Sequence, residues 1–172
     1  MKNIKILGRS MTNKNKNKKG FTLIELLVVV AIIGALAAVG VVAYNGYIGA
    51  ARENSTKSIH NGVAKYIANE AAKCALNEDA TIMGAQECDD STAEIVTALT
   101  GENSPLQDKD PYDGGAAVVA AKPEKNPRGN VVMTKADVEV DGKTIQKIKI
   151  ETCFDKACTA ANTLSTTVQI FE

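Results

Sequence analysis

The sequence is poor in the side chains on which most enzymes depend. It contains one histidine, His60, and no glycine-rich phosphate loop at the start of a helix. Serine, histidine and aspartate do not occur together at the spacing of a catalytic set. A length of 172 residues leaves room for one domain and an attached segment. We therefore expect a protein that is not an enzyme and has no cofactor, and we interpret His60 as a helix-surface residue.

A formal net charge of zero hides a strong asymmetry. Of the 20 lysine and arginine residues, seven lie in Met1–Gly20, a stretch without any acidic residue. The remainder has 13 basic residues against 20 acidic ones, a net charge of about −7. An acidic body of this kind argues against nucleic acid as an electrostatic partner.

A long apolar run follows the basic stretch. From Phe21 to Ala43 the chain carries a single charge, Glu25. Such a run can cross a hydrocarbon core about 30 Å thick as a helix. The preceding basic residues favour a cytoplasmic amino terminus and an external carboxyl-terminal body. An ordinary secretory signal cleaved after Ala35-Leu36-Ala37 is the alternative, although the apolar run continues beyond that site.

The junction between the basic and apolar stretches carries the most specific motif. Lys18-Lys19-Gly20-Phe21-Thr22-Leu23-Ile24-Glu25 resembles the cleavage and methylation signature of type IV prepilins and of their secretion-system relatives, the pseudopilins. The resemblance implies that a prepilin peptidase cuts between Gly20 and Phe21 and methylates the new amino terminus of Phe21. It also implies that Glu25 pairs with the Phe21 amine of a neighbouring subunit, because an unpaired carboxylate is costly in a membrane. Alternatively, Glu25 is favoured by the helix dipole and reaches the headgroups.

The resemblance also implies an organisation, a location and a set of partners. Three segments follow: a leader peptide, residues 1–20; a long helix, residues 21–76, whose part 21–43 spans the membrane and polymerises; and a globular head, residues 77–172. The chain would wait in the bacterial inner membrane until the pilus assembly machinery stacks it into a homo-oligomeric extracellular filament. Such filaments serve adhesion, twitching motility or DNA uptake. A pseudopilin of a type II secretion system and a secreted or singly anchored binding domain are the alternatives.

Four cysteines follow the apolar run: Cys74, Cys88, Cys153 and Cys158. An even number of cysteines on the external side of a membrane predicts two disulfides. Proximity in sequence favours Cys74 with Cys88 and Cys153 with Cys158, and the other two connectivities stay open. A zinc site is less well supported, because only the second pair has a ligand-like spacing.

The pattern of the remaining residues predicts an α+β fold, which the resemblance implies is pilin-like. Apolar residues at helical spacing carry the long helix to about Leu76, and half of this helix is transmembrane. A capping box at Ser91-Thr92-Ala93-Glu94 starts a short second helix. An Asp141-Gly142 turn begins a hairpin, and alternating residues predict two further strands that end near Phe154 and Phe171. The long helix then packs on a small antiparallel β-sheet.

Two segments are predicted to be loops: an irregular loop, residues 77–90, which Cys74 and Cys88 could tie back to the helix end, and a loop mainly on the surface, residues 102–129. Residues 77–90 have no regular pattern, and residues 102–129 are dominated by prolines, glycines and charges, with 116–121 the one candidate strand. Within the second loop, Asp108, Asp110 and Asp113 offer oxygen ligands for calcium. We interpret them instead as a solvated acidic turn, because their spacing differs from a standard calcium loop.

Overall fold

The computed structural model describes residues 20–171. Residues 1–19 of the predicted leader, which include Met1 and a second possible start at Met11, lie outside the described residues. The chain divides after Ala43 into two units, which are described separately.

The first unit contains only exposed residues from Gly20 to Ala43. They enter helix α1, which begins at Leu23, continues into the second unit and ends at Leu76. Among the described residues α1 is the one helix long and apolar enough to cross a membrane, with a best 18-residue window of mean hydropathy 3.0 and no part of that window buried. An apolar helix whose side chains are not buried by the protein is stable only in another apolar environment, such as a lipid bilayer or the apolar surface of a partner.

The second unit is built on a mixed sheet of five strands and a short helix. Their bounds are α2 Thr92–Thr100, β1 Val118–Val119, β2 Val131–Lys135, β3 Val138–Val140, β4 Lys143–Cys153 and β5 Thr163–Phe171. Strand β4 pairs antiparallel with β2, β3 and β5, while β1 pairs parallel with β2. The predicted α+β fold of a long helix on a mostly antiparallel sheet is confirmed, and the short parallel pair is an addition to it.

The core of the second unit lies between α1, α2 and one face of the sheet. A stripe of α1 at intervals of three to four residues is buried: Thr56, His60, Val63, Ile67, Ala71 and Cys74. This interval places side chains on one helix face. Ile148 and Ile150 of β4 and Leu99 of α2 have no exposed surface and complete the core. Each fully buried isoleucine or leucine stabilises the fold by about 1.5–3 kcal/mol.

Local sequence signals account for the ends of several elements. Ser91 and Glu94 form the predicted reciprocal capping box at the start of α2. Asp141 and Gly142 both adopt positive φ, +51° and +78°, in the turn between β3 and β4. Consecutive residues of positive φ match the twist of a two-residue hairpin. The predicted hairpin is therefore confirmed.

Two parts of the second unit differ from the predictions. Strand β2 was not predicted, and it is held by the antiparallel pairing of Val131–Lys135 with β4. The 77–90 segment was predicted to be an irregular loop tied to the helix end, and the burial of Ile82 and Met83 within it, each 1 % exposed, was not predicted. The Met83 N–H donates to Glu70 Oε2 of α1 at 2.8 Å, which holds the segment against the helix.

Candidate functional site

The predicted processing position lies just before α1. Gly20 and Phe21 are both exposed, and Phe21 retains 91 % of its accessible surface. A Cβ added at Gly20 would meet no atom within 4 Å. The bond between these two residues is therefore not covered by the residues that the structure describes.

A reciprocal capping box surrounds Glu25 at the start of α1. The N–H and the hydroxyl of Thr22 each donate to Glu25 Oε2 at 2.8 Å, and the Glu25 N–H donates to Thr22 Oγ1 at 3.3 Å. These bonds satisfy donors that a helix start leaves without intrahelical partners. Both bonds to the carboxylate fall on Oε2, so Oε1 has no hydrogen-bond partner among residues 20–171. The carboxylate is thus held in one orientation with one oxygen open to a further donor.

The sequence analysis missed the role of Thr22. The signal was present, because Thr22-Leu23-Ile24-Glu25 has the spacing of a capping box. The alternative interpretation of Glu25, as a carboxylate favoured by the helix dipole, put this residue near the helix start. It did not predict the hydrogen bonds with Thr22.

The four cysteines form two disulfides of short sequence separation. Cys74 and Cys88, separated by 14 residues, tie the 77–90 segment to the end of α1. Cys153 and Cys158, separated by five residues, close a tight loop after β4. These are the two pairs that sequence proximity favoured.

The prediction that His60 lies on the helix surface is wrong. His60 is 1 % exposed and lies on the stripe of α1 that faces the sheet. Its Nδ1 lies 2.9 Å from Thr152 Oγ1 of β4, and its Nε2 lies 2.8 Å from Thr166 Oγ1 of β5. Burial lowers the pKa of the imidazole, so the neutral ring is favoured in the fold. Its role is to join α1 to two strands.

The acidic turn is only partly solvated. Asp108 and Asp113 are exposed, as predicted, but Asp110 is 2 % exposed. Asp110 Oδ1 accepts a bond of 2.7 Å from the Tyr112 N–H, and burial raises the pKa of its carboxyl. Residues 20–171 contain no group of three or more histidine, cysteine, aspartate or glutamate side chains arranged to hold a metal.

Comparison with known protein families identifies a motif in the amino-terminal segment. The family model described as "Prokaryotic N-terminal methylation motif" matches residues 15–41. This range contains the Gly20-Phe21 junction, Glu25 and most of the exposed apolar part of α1. The chain therefore carries a methylation motif of the type IV prepilin kind.

Similarity to curated proteins points in the same direction. The chain is 45 % identical over 64 residues to the type IV major fimbrial protein FimA of Dichelobacter nodosus strain VCS1703A, covering 36 % of this chain and 40 % of that protein. Another FimA of Dichelobacter nodosus is 51 % identical over 51 residues, covering 30 % of this chain and 32 % of the relative. The match thus spans two fifths or less of these relatives. No solved structure matches the chain.

These matches establish homology to type IV fimbrial proteins over part of the chain. Both relatives are named as fimbrial proteins and not as enzymes, in agreement with the prediction of a non-enzyme.

Proposed function

We propose that the chain is a structural subunit of a type IV pilus. The observation that carries the proposal is a methylation motif, matched over residues 15–41, whose apolar helical segment, residues 23–43, has no buried residue. A prepilin peptidase removes residues 1–20 and methylates Phe21. The segment 21–43 then anchors the subunit in the inner membrane until the pilus assembly machinery moves it into an extracellular filament.

The open surface of the anchor suits both lipid and other copies of the same helix. Added Cβ atoms at Gly34 and Gly40 would meet nothing within 4 Å. Gly34 and Ala38 have the small-xxx-small spacing that allows helices to approach closely. The helix that crosses the membrane as a monomer is therefore suited to pack against identical helices in a filament core.

A charge pair between subunits sets the register of this packing. Cleavage gives Phe21 a positively charged amine. Thr22 holds Glu25 Oε2, and Oε1 has no hydrogen-bond partner in the part of the chain that the structure describes. Ionic groups in apolar surroundings are costly unless paired. We assign Oε1 as the acceptor for the Phe21 amine of the neighbouring subunit, so that incoming chains bind at one axial position.

The names of the relatives favour a pilus over a secretion apparatus. Both are major fimbrial proteins, so a pilus subunit, and not a pseudopilin of a type II secretion system, is the function proposed. Adhesion, twitching motility and DNA uptake are the roles open to such a filament.

The proposal is tested with the Glu25→Ala variant in a host with its native peptidase and assembly machinery. We expect normal removal of the leader, because the cut lies upstream of residue 25, and loss of filaments from sheared cells. Glu53→Ala is the matched control, since Glu53 lies on α1 outside the apolar run and pairs with Lys57 at 2.6 Å. Normal filament yield from Glu25→Ala, or equal loss from both variants, would contradict the charge pairing.

A further inference from the structure

A cationic cluster lies on the second unit near the start of its part of α1. The guanidinium of Arg128 lies 4.3 Å from the centroid of the Tyr112 ring, and that of Arg52 lies 5.9 Å from it. Both distances fall in the range of cation–π contacts. Two guanidinium groups are therefore held around one ring, and we call Arg52, Tyr112 and Arg128 the arginine cluster.

The tyrosine ring is itself fixed by its surroundings. The Tyr112 hydroxyl donates to the carbonyl of Phe154 at 3.0 Å, and the Tyr112 N–H donates to Asp110. A fixed ring orients both guanidinium groups without occupying their N–H donors, because a cation–π contact uses the face of the cation. Arg128 Nε donates to Asn126 Oδ1 at 3.3 Å, and the other guanidinium donors have no hydrogen-bond partner among residues 20–171.

No carboxylate of the described residues neutralises the arginine cluster directly. Among residues 20–171, no ion pair within 4.0 Å involves Arg52 or Arg128. Glu53, which follows Arg52 in sequence, pairs with Lys57. The buried Asp110 carboxyl accepts the Tyr112 N–H, and the positive charge of Arg128 acts to lower its pKa, against the larger effect of burial. Arg52 is exposed and Arg128 is half-buried. The arginine cluster thus has no direct ion pair among residues 20–171, and its exposed member, Arg52, can take up an anion from a partner.

The position of Arg52 in the sequence indicates what that partner is. Arg52 follows Ala43, the last residue of the apolar run, by nine residues, which is about 14 Å of helix. Helical side chains tilt towards the amino terminus, so that of Arg52 is directed towards the residues that precede it on α1. Tyr44 and Tyr47, which are 65 % and 72 % exposed, come between the two. Exposed tyrosines after an apolar run are typical of a membrane interface.

We propose that the arginine cluster binds the phosphate groups of anionic phospholipids in the outer leaflet of the membrane that holds the subunit. The planar guanidinium groups match phosphate oxygens in pairs, and a bilayer presents such phosphates at its surface. This inference rests on the membrane anchoring proposed above. Its consequence is that the head is held against the membrane before assembly and released when the subunit leaves the bilayer.

The arginine content of the chain makes a direct test possible. Arginine occurs only at Arg9, Arg52 and Arg128. In the full chain with Arg9→Lys, carbon-13 at arginine Cζ therefore reports only on the arginine cluster. The chain is placed in vesicles of phosphatidylglycerol and phosphatidylcholine, and the dephasing of the Cζ signals by lipid phosphorus-31 is measured. We expect dephasing of both signals, with Arg52→Lys identifying the remaining one as Arg128.

Two variants and one change of anion test whether the lipid contact is specific. Tyr112→Ala should lose the dephasing of Arg128, whereas Lys143→Gln, a loss of one charge in the β3–β4 turn, should change neither signal. If the chain binds the vesicles but its arginine Cζ signals show no dephasing, the lipid contact is wrong and the membrane anchoring is unaffected. Equal dephasing by inorganic phosphate added to phosphatidylcholine vesicles would replace it by a general anion site. Failure of the chain to float with vesicles would instead contradict the anchoring itself.

Discussion

Replacing Gly129 by alanine should destabilise the head far more than the usual glycine substitution. Gly129 has φ +93°, and a Cβ at this position would lie 2.0 Å from Oδ1 and 2.5 Å from Cγ of Asp110. Real Cβ contacts do not occur at such distances, so the carboxyl group has to move. Asp110 is 2 % exposed and accepts the Tyr112 N–H, so a move breaks a buried hydrogen bond.

The size of the effect follows from two contributions. Positive φ costs an alanine about 1–2 kcal/mol relative to glycine. Displacing Asp110 and leaving its donor unsatisfied costs about 1–3 kcal/mol more. The free energy of unfolding should therefore fall by about 2–5 kcal/mol in Gly129→Ala.

The matched control is Gly114→Ala. Gly114 also has positive φ, +79°, but an added Cβ there would meet nothing within 4 Å, so only the backbone cost of about 1–2 kcal/mol applies. Both variants of the full chain are compared in mild detergent by urea unfolding followed by brief proteolysis. In an Asp110→Ala background the added cost of Gly129→Ala should shrink to that of Gly114→Ala. Equal losses in the two single variants would refute the Gly129–Asp110 contact.

Further predictions concern the buried histidine and the disulfides. Because burial lowers the pKa of His60, its contribution to stability is complete above its ordinary pKa of about 6.5 and declines as the pH falls from there towards the lower pKa of the folded state. His60→Gln should remove that decline from urea titrations between about pH 7 and pH 5, and an unchanged pH slope would show that His60 is not the group responsible. Replacing Cys74 and Cys88 by serine should lower the free energy of unfolding by about 3 kcal/mol, against about 2 kcal/mol for Cys153 and Cys158, because the first loop is longer. If loss of the Cys153–Cys158 disulfide lowered the urea midpoint more than loss of the Cys74–Cys88 disulfide, loop length would not determine the loss of stability.

The elements that could be predicted from the sequence are those with a complete local signal. Helix α2 has a full capping box from Ser91 to Glu94. The hairpin has Asp141-Gly142, a residue pair typical of two-residue hairpin turns with positive φ. The long α1 shows its helical period from Ile59 onwards. In each case neighbouring residues alone determine the conformation.

The features that were missed depend on contacts between distant residues. Strand β2 is set by its pairing with β4, and Met83, next to Ile82, donates its N–H to Glu70 of α1, 13 residues away. The hydrogen-bond partners of His60 could not be predicted from its place on a helix, because Thr152 and Thr166 lie 92 and 106 residues away in sequence. Only the folded sheet brings these groups together.

The candidate site was predicted in its residues but not in its local geometry. Gly20, Phe21 and Glu25 were named from the motif, whereas the bonds from Thr22 to Glu25 emerged from the structure. Their consequence is that one carboxylate oxygen is engaged within the chain, while the other has no hydrogen-bond partner among residues 20–171. The role of each oxygen could not be read from the residue types.

The most direct test of the filament-subunit account is the amino terminus and the mass of the mature protein from a host with its native peptidase. The account predicts a chain that begins at N-methylated Phe21 and retains the whole apolar run. A chain that begins at Ala38 would show cleavage by a secretory signal peptidase, remove most of the anchor, and contradict both the filament and the membrane-bound subunit.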